Sequence, residues 1–253
     1  MEILIPKMKD KISVAMATYN GAKFIKEQLT SILNQLGTDD EVVISDNFST
    51  DNTIDIINSF NDKRIKIFNK KKESNNGNTN CYFNFENALK ETTGDIIFLS
   101  DQDDLWNDNK VSICLSALNN YDIVVSDCSV ISENGEIILD SYFKRRKSGK
   151  GFLKNLFANT YLGCCIAFRR ELLKIALPFP KQMPMHDILL GTISELFYKP
   201  CFIQDRLVLY RDHSNNVSPT AVGISRYSFG EQIIFRWKVV KYLPLLLRRK
   251  YLG

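Results

Sequence analysis

Three carboxylates stand within four positions, directly after a short apolar run. Asp101, Asp103 and Asp104 follow residues 96–99, an unbroken apolar run that is typical of a buried strand. Carboxylates this close repel one another unless a cation lies between them, and Mg²⁺ or Mn²⁺ with oxygen ligands would bridge them to a substrate phosphate. A polar turn that caps a following helix uses the same residue types, so this segment alone leaves both interpretations open.

Two further polar segments also follow predicted strands. Residues 18–20 end a strand at 12–17, and Asp46 and Asn47 end a strand at 41–45. Helices between the strands give a β-α-β order, which predicts a mainly parallel sheet covered by helices on both faces. The carboxyl ends of such strands meet at one edge, where open α/β sheets bind their ligands. We therefore expect a nucleotide to lie across the three strand ends.

The elements that must position these residues are visible in the hydrophobic periodicity. In the first half the pattern predicts strands at 12–17, 41–45, 64–68 and 95–100, helices at about 22–36, 51–60 and 82–90, and a polar loop at 69–80. In the second half it predicts strands at 121–126, 162–168 and 202–211, a hairpin around residues 134–135, a short helix at 170–176, and a basic, mobile segment at 141–151. Three prolines between residues 178 and 184 constrain a loop that delivers His186 and Asp187 to the start of a helix.

The composition bounds the class of protein. The chain has 253 residues, is 44% hydrophobic and carries a net charge of +4, which does not favour a nucleic-acid partner. Its six cysteines form no Cys-x-x-Cys pair, so we expect reduced core thiols in a cytoplasmic protein. The first residues are broken by Pro6 too early for a signal peptide, and we expect no membrane-spanning segment.

The landmarks together resemble the family-two bacterial glycosyltransferases, in particular their rhamnosyltransferase-like members. The likeness covers residues 11–220 in the right order. It is carried by Ala17-Thr18-Tyr19-Asn20-Gly21, residues 45–53, Asp101-Gln102-Asp103-Asp104-x-Trp106, His186-Asp187 and Tyr210-Arg211-x-His213-x-x-Asn216. One departure is Asn47, which stands where the family usually has a second Asp, so the base contact would lack a charge.

The resemblance implies an α/β fold of the GT-A, nucleotide-diphospho-sugar transferase type. A mainly parallel central sheet flanked by helices would be followed by a small antiparallel acceptor-side region. The implied GT-A domain is 1–220, with a nucleotide-binding half at about 11–105 and an acceptor-side half at 106–220. A helical, basic tail would occupy residues 221–253.

The implied activity is inverting transfer of a sugar from dTDP-rhamnose or a UDP-hexose. The acceptor would be a hydroxyl of a bacterial surface polysaccharide or a lipid-linked oligosaccharide. Asp187 corresponds to the general base that takes the acceptor proton; a plain N-cap is the alternative, and the two roles are compatible. His186 is expected beside the base rather than as the base itself.

The resemblance also assigns the binding residues. The implied ligands of Mn²⁺ or Mg²⁺ are Asp103, Asp101 and His213. The implied nucleotide-binding residues are Ala17, Thr18, Tyr19, Asn20, Asp46, Asn47, Gly77, Asn84, Asp101 and Gln102. The implied acceptor or sugar pocket contains Trp106, His186 and Asn216. Three alternatives stay open: Tyr19 as a packing residue, Trp106 as a core residue and His213 as a structural histidine.

The tail mixes apolar and basic residues. Basic amphipathic helices lie in the interface of anionic membranes, and contact with the inner face of the cell membrane is one expectation for residues 233–252. A helix packed on the core and an oligomer contact are the alternatives. Pro244 is expected to break a single helix here.

Two other functions are compatible with the same class of fold. A sugar-nucleotidyltransferase needs a Gly-rich, basic loop after the first strand to hold a triphosphate, and residues 18–21 lack one. A non-catalytic nucleotide or glycan-binding partner would not need Asp101, Asp103 and Asp187 together, although motifs alone do not prove turnover.

Overall fold

A computed structural model describes residues 10–214, 216 and 228–252. Within them the chain forms one sheet of nine strands with the order β3-β2-β1-β4-β8-β6-β9-β5, and β7 pairs with β6. The strands are β1 (Ile12–Thr18), β2 (Glu41–Asp46), β3 (Ile65–Asn69), β4 (Ile96–Ser100), β5 (Leu105–Trp106), β6 (Ile123–Ser132), β7 (Ile137–Leu139), β8 (Ile166–Arg169) and β9 (Pro200–Asp212). The helices are α1 (Ile25–Leu33), α2 (Thr53–Ser59), α3 (Gly77–Glu91), α4 (Lys110–Leu118), α5 (Tyr142–Arg146), α6 (Phe152–Phe157), α7 (Leu173–Ala176), α8 (His186–Phe197) and α9 (Phe229–Leu252).

The first half is the predicted parallel sheet. β1 lies between β2 and β4, and all three run in the same direction as β3. Every residue of β2 and β4 is buried, which explains why these strands are apolar runs rather than alternating patterns. The register sets Thr18 beside Asp46 and Met16 beside Ser100, so the polar strand ends meet at one edge. The expected parallel arrangement of the first half is confirmed.

The second half extends the same sheet in mixed directions. β8 is antiparallel to β4, β6 is antiparallel to β8, and β9 runs parallel to β6. β5, directly after the acidic segment, pairs with β9 through Leu105 and Leu209. This pairing brings the end of β9 to the acidic segment. The proposed division at residue 105 therefore crosses a continuous sheet, and the boundary at residue 220 lies outside the described residues.

Two predicted loops contain helices. α3 begins at Gly77, five residues before the predicted start, because the side chain of Asn76 caps it by accepting from the Thr79 N–H at 3.2 Å. The segment 141–151, expected to be mobile, contains α5, whose first turn is capped by the Ser141 hydroxyl accepting from the Lys144 N–H at 3.1 Å. Both segments are polar, so their hydrophobic periodicity is weak, and Asn and Ser are typical of loops as well as of helix caps.

The tail forms one continuous helix, contrary to the expected break at Pro244. Proline removes the hydrogen bond to the carbonyl four residues earlier, which here belongs to Val240. Both Val240 and Pro244 are exposed, so solvent can hydrate that carbonyl. The opposite side of α9 packs against α7 and α8. No helix in the described part of the chain is both long and apolar enough to span a bilayer.

Candidate active site

The loops after β1 and β4 are tied together by a reciprocal pair of hydrogen bonds. The Tyr19 N–H donates to Oε1 of Gln102 at 2.9 Å, and Nε2 of Gln102 donates back to the Tyr19 carbonyl at 3.1 Å. Gly21 leaves room for this side chain, because a Cβ there would overlap Gln102 Oε1. The Tyr19 ring is exposed, with Lys72 Nζ 3.7 Å from its centroid. Gln102 therefore fixes the backbone of a residue whose ring can stack on a planar base.

The loops after β1 and β2 meet on the carboxylate of Asp46. This buried side chain accepts from Thr18 Oγ1 at 2.9 Å, from the Ser49 hydroxyl at 2.6 Å and from the Ser49 N–H at 2.7 Å. Asn20 adds a second link, since its Oδ1 accepts from the Thr50 N–H at 2.8 Å. The structure thus shows Asp46 linking two loops, and its contact with the ribose or base stays a prediction.

α3 borders the ends of β1 and β2 through Asn84. Asn84 accepts from the Ser45 hydroxyl at 2.5 Å and donates to the Thr18 carbonyl at 3.1 Å, so it holds β1 and β2 together at their ends. Asn47 donates to the Lys70 carbonyl at 2.8 Å. Five of the predicted nucleotide-binding residues on these elements line one common cavity: Ala17, Thr18, Asn47, Gly77 and Asn84.

Asp103 and His213 contact each other directly. His213 Nε2 lies 2.9 Å from Asp103 Oδ2. Asn216 folds the chain back to hold the histidine, because its Oδ1 accepts from the His213 N–H at 2.7 Å and its Nδ2 donates to the Arg211 carbonyl at 2.9 Å. The end of β9 therefore closes over the acidic segment.

Asp104 plays a structural part in the same segment. It is buried, and its Oδ1 accepts from the Arg211 N–H at 3.0 Å. The alternative that Asp104 caps a following helix is wrong, because β5 comes next and α4 begins only at Lys110. Arg211 adds a hydrogen bond from Nε to the Asp103 carbonyl at 3.0 Å. These contacts fix the backbone that carries Asp103.

The acidic segment fits a divalent cation. Among the described residues, Asp101, Asp104 and Cys164 each offer a ligand atom, and these atoms lie within 4.8 Å of one another. Burial, followed by repulsion from Asp103 and other carboxylates, raises the pKa of Asp101 to about 8. A divalent cation would relieve this repulsion, and carboxylate oxygens suit Mn²⁺ or Mg²⁺. The group of three shares Asp101 with the predicted ligands but contains neither Asp103 nor His213.

Asp187 lies in the first turn of α8, as predicted. Its Oδ1 accepts from the Ile188 N–H at 2.7 Å, and its Oδ2 accepts from Asn159 Nδ2 at 3.2 Å. Burial raises the pKa of Asp187 to about 6, although both hydrogen bonds act to lower it. The carboxylate is therefore held in one orientation and ionises just below neutral pH.

A cavity of about 1310 Å³ contains both the nucleotide edge and Asp187. Tyr19, Asn84, Asp101, Asp103 and Asp187 all line it. The volume exceeds the roughly 300–1,000 Å³ of a usual single-ligand site. The cavity is therefore large enough for a donor and an acceptor side by side.

Residues 13–175 match the model of the protein family described as glycosyl transferase family 2. The chain belongs to this family. The rhamnosyltransferase-like resemblance is also supported, because this glycosyltransferase is 29% identical over 214 residues to the dTDP-rhamnosyl transferase RfbG of Shigella flexneri, covering 79% of this chain and 72% of RfbG. It is 30% identical over 126 residues to the UDP-Glc:alpha-D-GlcNAc-diphosphoundecaprenol beta-1,3-glucosyltransferase WfgD of Escherichia coli, covering 49% of this chain and 47% of WfgD.

Solved structures give the same fold. TarS residues 1–349 from S. aureus in complex with UDP-GlcNAc superposes with a TM-score of 0.68 at 22% identity, covering 91% of this chain and 66% of that one. The mannosyltransferase PcManGT from Pyrobaculum calidifontis in complex with GDP-Man and Mn²⁺ superposes with a TM-score of 0.59 at 20% identity, covering 98% of this chain and 71% of that one. At these identities the likeness establishes the fold of this glycosyltransferase alone.

The residues predicted for the sugar pocket divide between cavity and core. His186 and Asn216 line the cavity. Trp106 is buried in the core beside Phe98, with ring centroids 5.4 Å apart, which is the alternative that the sequence left open. The sequence does not distinguish these two positions, because a tryptophan suits both an apolar pocket and the core.

His186 lines the cavity next to Asp187 as an uncharged side chain. Its ring stacks on Phe85 with centroids 3.9 Å apart, and burial lowers the pKa of His186 to about 3. A Cβ on Gly163 would lie 2.6 Å from its Nε2, so glycine is needed at that approach. Within the described part of this glycosyltransferase, neither ring nitrogen has a hydrogen-bond partner.

Sequence reasoning missed two residues of the site. Asn159 reaches Asp187 from the segment after α6, and Arg211 fixes the backbone of the acidic segment from β9. Arg211 belongs to the quoted motif, so its position was a usable signal. Asn159 stands alone in a polar segment, and only the fold brings it to Asp187.

Proposed function

We propose that this glycosyltransferase moves a hexosyl or rhamnosyl group from a UDP- or dTDP-sugar to a hydroxyl group, with inversion at the anomeric carbon. The observation that carries this proposal is the shared cavity, because Asp187 lines the same space as Tyr19 and Asp103. A single displacement needs a general base beside the acceptor and a binding site for the nucleotide of the donor, both facing the same space. The names of RfbG and WfgD support a dTDP- or UDP-linked donor.

The proposed acceptor is a lipid-linked oligosaccharide or a bacterial surface polysaccharide. WfgD is named for transfer to a sugar on diphosphoundecaprenol, which supports the lipid-linked form. The proposed location of the reaction is the cytoplasm, at the inner face of the cell membrane. Membrane contact and oligomer formation belong to the proposal as well.

At the anomeric carbon the reaction forms one bond and breaks one bond, and one proton moves from the acceptor to the base. The acceptor oxygen attacks the anomeric carbon, the bond from that carbon to the diphosphate oxygen breaks, and the nucleoside diphosphate leaves. The hydroxyl proton passes to Asp187, whose carboxylate is oriented by Ile188 and Asn159. A pKa of about 6 leaves Asp187 ionised at neutral pH and still basic enough to accept a proton.

Asp103, Asp101 and His213 would hold Mn²⁺ or Mg²⁺ next to the diphosphate. The metal would supply Lewis acidity that stabilises the negative charge of the leaving group. The PcManGT complex, which contains GDP-Man and Mn²⁺, supports this assignment by analogy of fold. The direct contact between Asp103 and His213 is consistent with a shared ligand.

A donor screen tests the proposal. UDP-glucose, UDP-galactose, UDP-N-acetylglucosamine and dTDP-rhamnose are each incubated with Mn²⁺, with and without a bacterial lipid-linked glycan extract, and released nucleoside diphosphate is measured. We expect acceptor-dependent release from one of these donors. Nucleotide binding without release from any donor would favour a binding partner, and inorganic diphosphate released from a nucleoside triphosphate and a sugar phosphate would favour a nucleotidyltransferase.

A further inference from the structure

α9 presents apolar side chains on two opposite sides. The inner side includes Val239, Tyr242 and Leu246 and faces α7 and α8. The outer side carries an exposed stripe at helical spacings of three, four and seven, formed by Ile233, Trp237, Val240, Leu247 and Tyr251. Packing on the core therefore accounts for one side of the helix only.

α6, which contacts α9, also exposes apolar side chains. Leu153 and Phe157 lie one helical turn apart and are both exposed. Arg236 joins the two helices, because its Nη2 donates to the Phe157 carbonyl at 3.2 Å and its guanidinium lies 5.2 Å from the Phe157 ring centroid. We call the outer stripe of α9 together with Leu153 and Phe157 the α6–α9 surface.

Positive charge is concentrated in the two segments of the chain that contain α6 and α9. Residues 141–158 and 232–252 contain no aspartate or glutamate. Their cations are Lys144, Arg145, Arg146, Lys147, Lys150, Lys154, Arg236, Lys238, Lys241, Arg248, Arg249 and Lys250. Because the whole chain has a net charge of only +4, the remainder of the chain is net negative. At helical spacing, Lys241 and Arg248 border the stripe on one side, and Arg236 and Lys250 border it on the other.

We infer that the α6–α9 surface docks on an anionic lipid bilayer. Exposed apolar residues bordered by lysine and arginine match the interface of such a membrane, where the apolar stripe enters the acyl boundary and the cations meet the headgroups. A second copy of the chain is a poorer occupant. A symmetric dimer through this surface would bring two positively charged patches together, because a two-fold interface uses the same patch on both copies.

Docking in this way would present a lipid-linked acceptor to Asp187, an inference that rests on the proposed function. Phe157, Phe235 and Arg236, from α6 and α9, line the same cavity as Asp187. The acceptor end of the cavity is therefore continuous with the docking surface. A glycan anchored in the bilayer could enter from this side without leaving the membrane.

The two tryptophans make the docking measurable in the full chain. Trp237 is 65% exposed, whereas Trp106 is 3% exposed and reports little on the solvent. With phosphatidylglycerol-containing vesicles, we expect the tryptophan emission to shift to the blue and to be quenched by brominated acyl chains. Vesicles of phosphatidylcholine alone should give a much smaller change. Trp237→Phe should lose the shift and still float with the anionic vesicles.

A matched pair of charge variants tests the electrostatic part. Lys241→Glu with Arg248→Glu should weaken vesicle binding by at least about tenfold, because four units of charge are changed at the headgroups. Lys26→Glu with Lys63→Glu changes the net charge equally at exposed positions away from α6 and α9 and should leave binding unchanged. Circular dichroism and UDP affinity should be unaltered in both.

Three results would overturn the inference. The first is that the full chain fails to float with anionic vesicles. The second is equal binding to neutral vesicles, and the third is a concentration-dependent dimer that buries Trp237 and leaves vesicle binding absent. Failure of the proposed function would look different, because donor turnover would be missing while flotation persisted.

Discussion

The side-chain amide of Asn159 donates a hydrogen bond to Oδ2 of Asp187 at 3.2 Å, across 28 positions of the chain. Asn159 is itself anchored by Tyr161, whose N–H donates to Asn159 Oδ1 at 3.2 Å and whose carbonyl accepts from Asn159 Nδ2 at 3.0 Å. The amide is thus held by backbone groups and has little freedom to turn away. Asn159 is a positioning residue for the carboxylate that we propose as the base.

Replacing Asn159 should move the acidic limb of the pH–rate profile. The rate should follow the ionised fraction of Asp187, and because burial raises its pKa to about 6, kcat/KM should fall tenfold for each pH unit well below about 6. Hydrogen bonding from Asn159 favours the ionised form, so Asn159→Ala should raise that pKa and shift the limb to higher pH. The measurement is kcat/KM between pH 5 and pH 8.

Asn120→Ala is the matched control, since Asn120 is exposed and lies outside the site. Its limb should coincide with that of the unmodified protein. A purely structural role of Asn159 predicts a lower rate at every pH with the limb in its original place, and that outcome would remove Asn159 from the positioning of the base.

Gly21→Ala should weaken nucleotide binding. An added Cβ would overlap Gln102 Oε1, so the Gln102 side chain would have to leave its two hydrogen bonds with Tyr19. Calorimetry should show UDP affinity lowered by several-fold, with the unfolding temperature little changed. Gly230→Ala is the control, because a Cβ added there would have no atom of the described residues within 4 Å. Equal affinities in both variants would argue against the Tyr19 loop as a nucleotide contact.

Asp103→Ala should abolish the Mn²⁺-dependent part of nucleotide binding. Asp103 contacts His213 at 2.9 Å, and its replacement would remove one carboxylate ligand from the proposed metal site. UDP affinity is measured by calorimetry with and without Mn²⁺. Asp108→Ala, which removes an exposed carboxylate nearby, should keep the Mn²⁺ effect. The metal assignment fails if Asp103→Ala retains it as well.

The parallel half of the fold could be predicted because its signals are local. In buried strands such as β2 and β4, a continuous apolar run ends in polar residues. This pattern alone predicts where the strands end, and so predicts that Asp46 and Asp101 lie at the same edge of the sheet. Helix starts were harder to predict. The start of α3 depends on one cap, Asn76, within a segment whose other residues resemble a loop.

The contacts that complete the site depend on long-range pairing. Arg211 reaches Asp104 only because β9 pairs with β5, and the sequence carries no local record of that register. In the tail, by contrast, a local signal is present but gives the wrong prediction. Pro244 is a strong local signal for a break, yet the helix continues through it, with its inner side packed against α7 and α8.

The most direct test of the account is the turnover of Asp187→Asn measured beside its donor affinity. Asp187 is not the N-cap of α8, which is Met185, so a cap alone does not explain this carboxylate. Asn preserves the shape of the side chain and can still accept from the Ile188 N–H, but it cannot accept the acceptor proton. We predict donor affinity within a few-fold of the unmodified protein and turnover lower by roughly 10²-fold or more. Near-normal turnover would contradict the assignment of Asp187 as the base, because only a structural role of this side chain would survive the replacement.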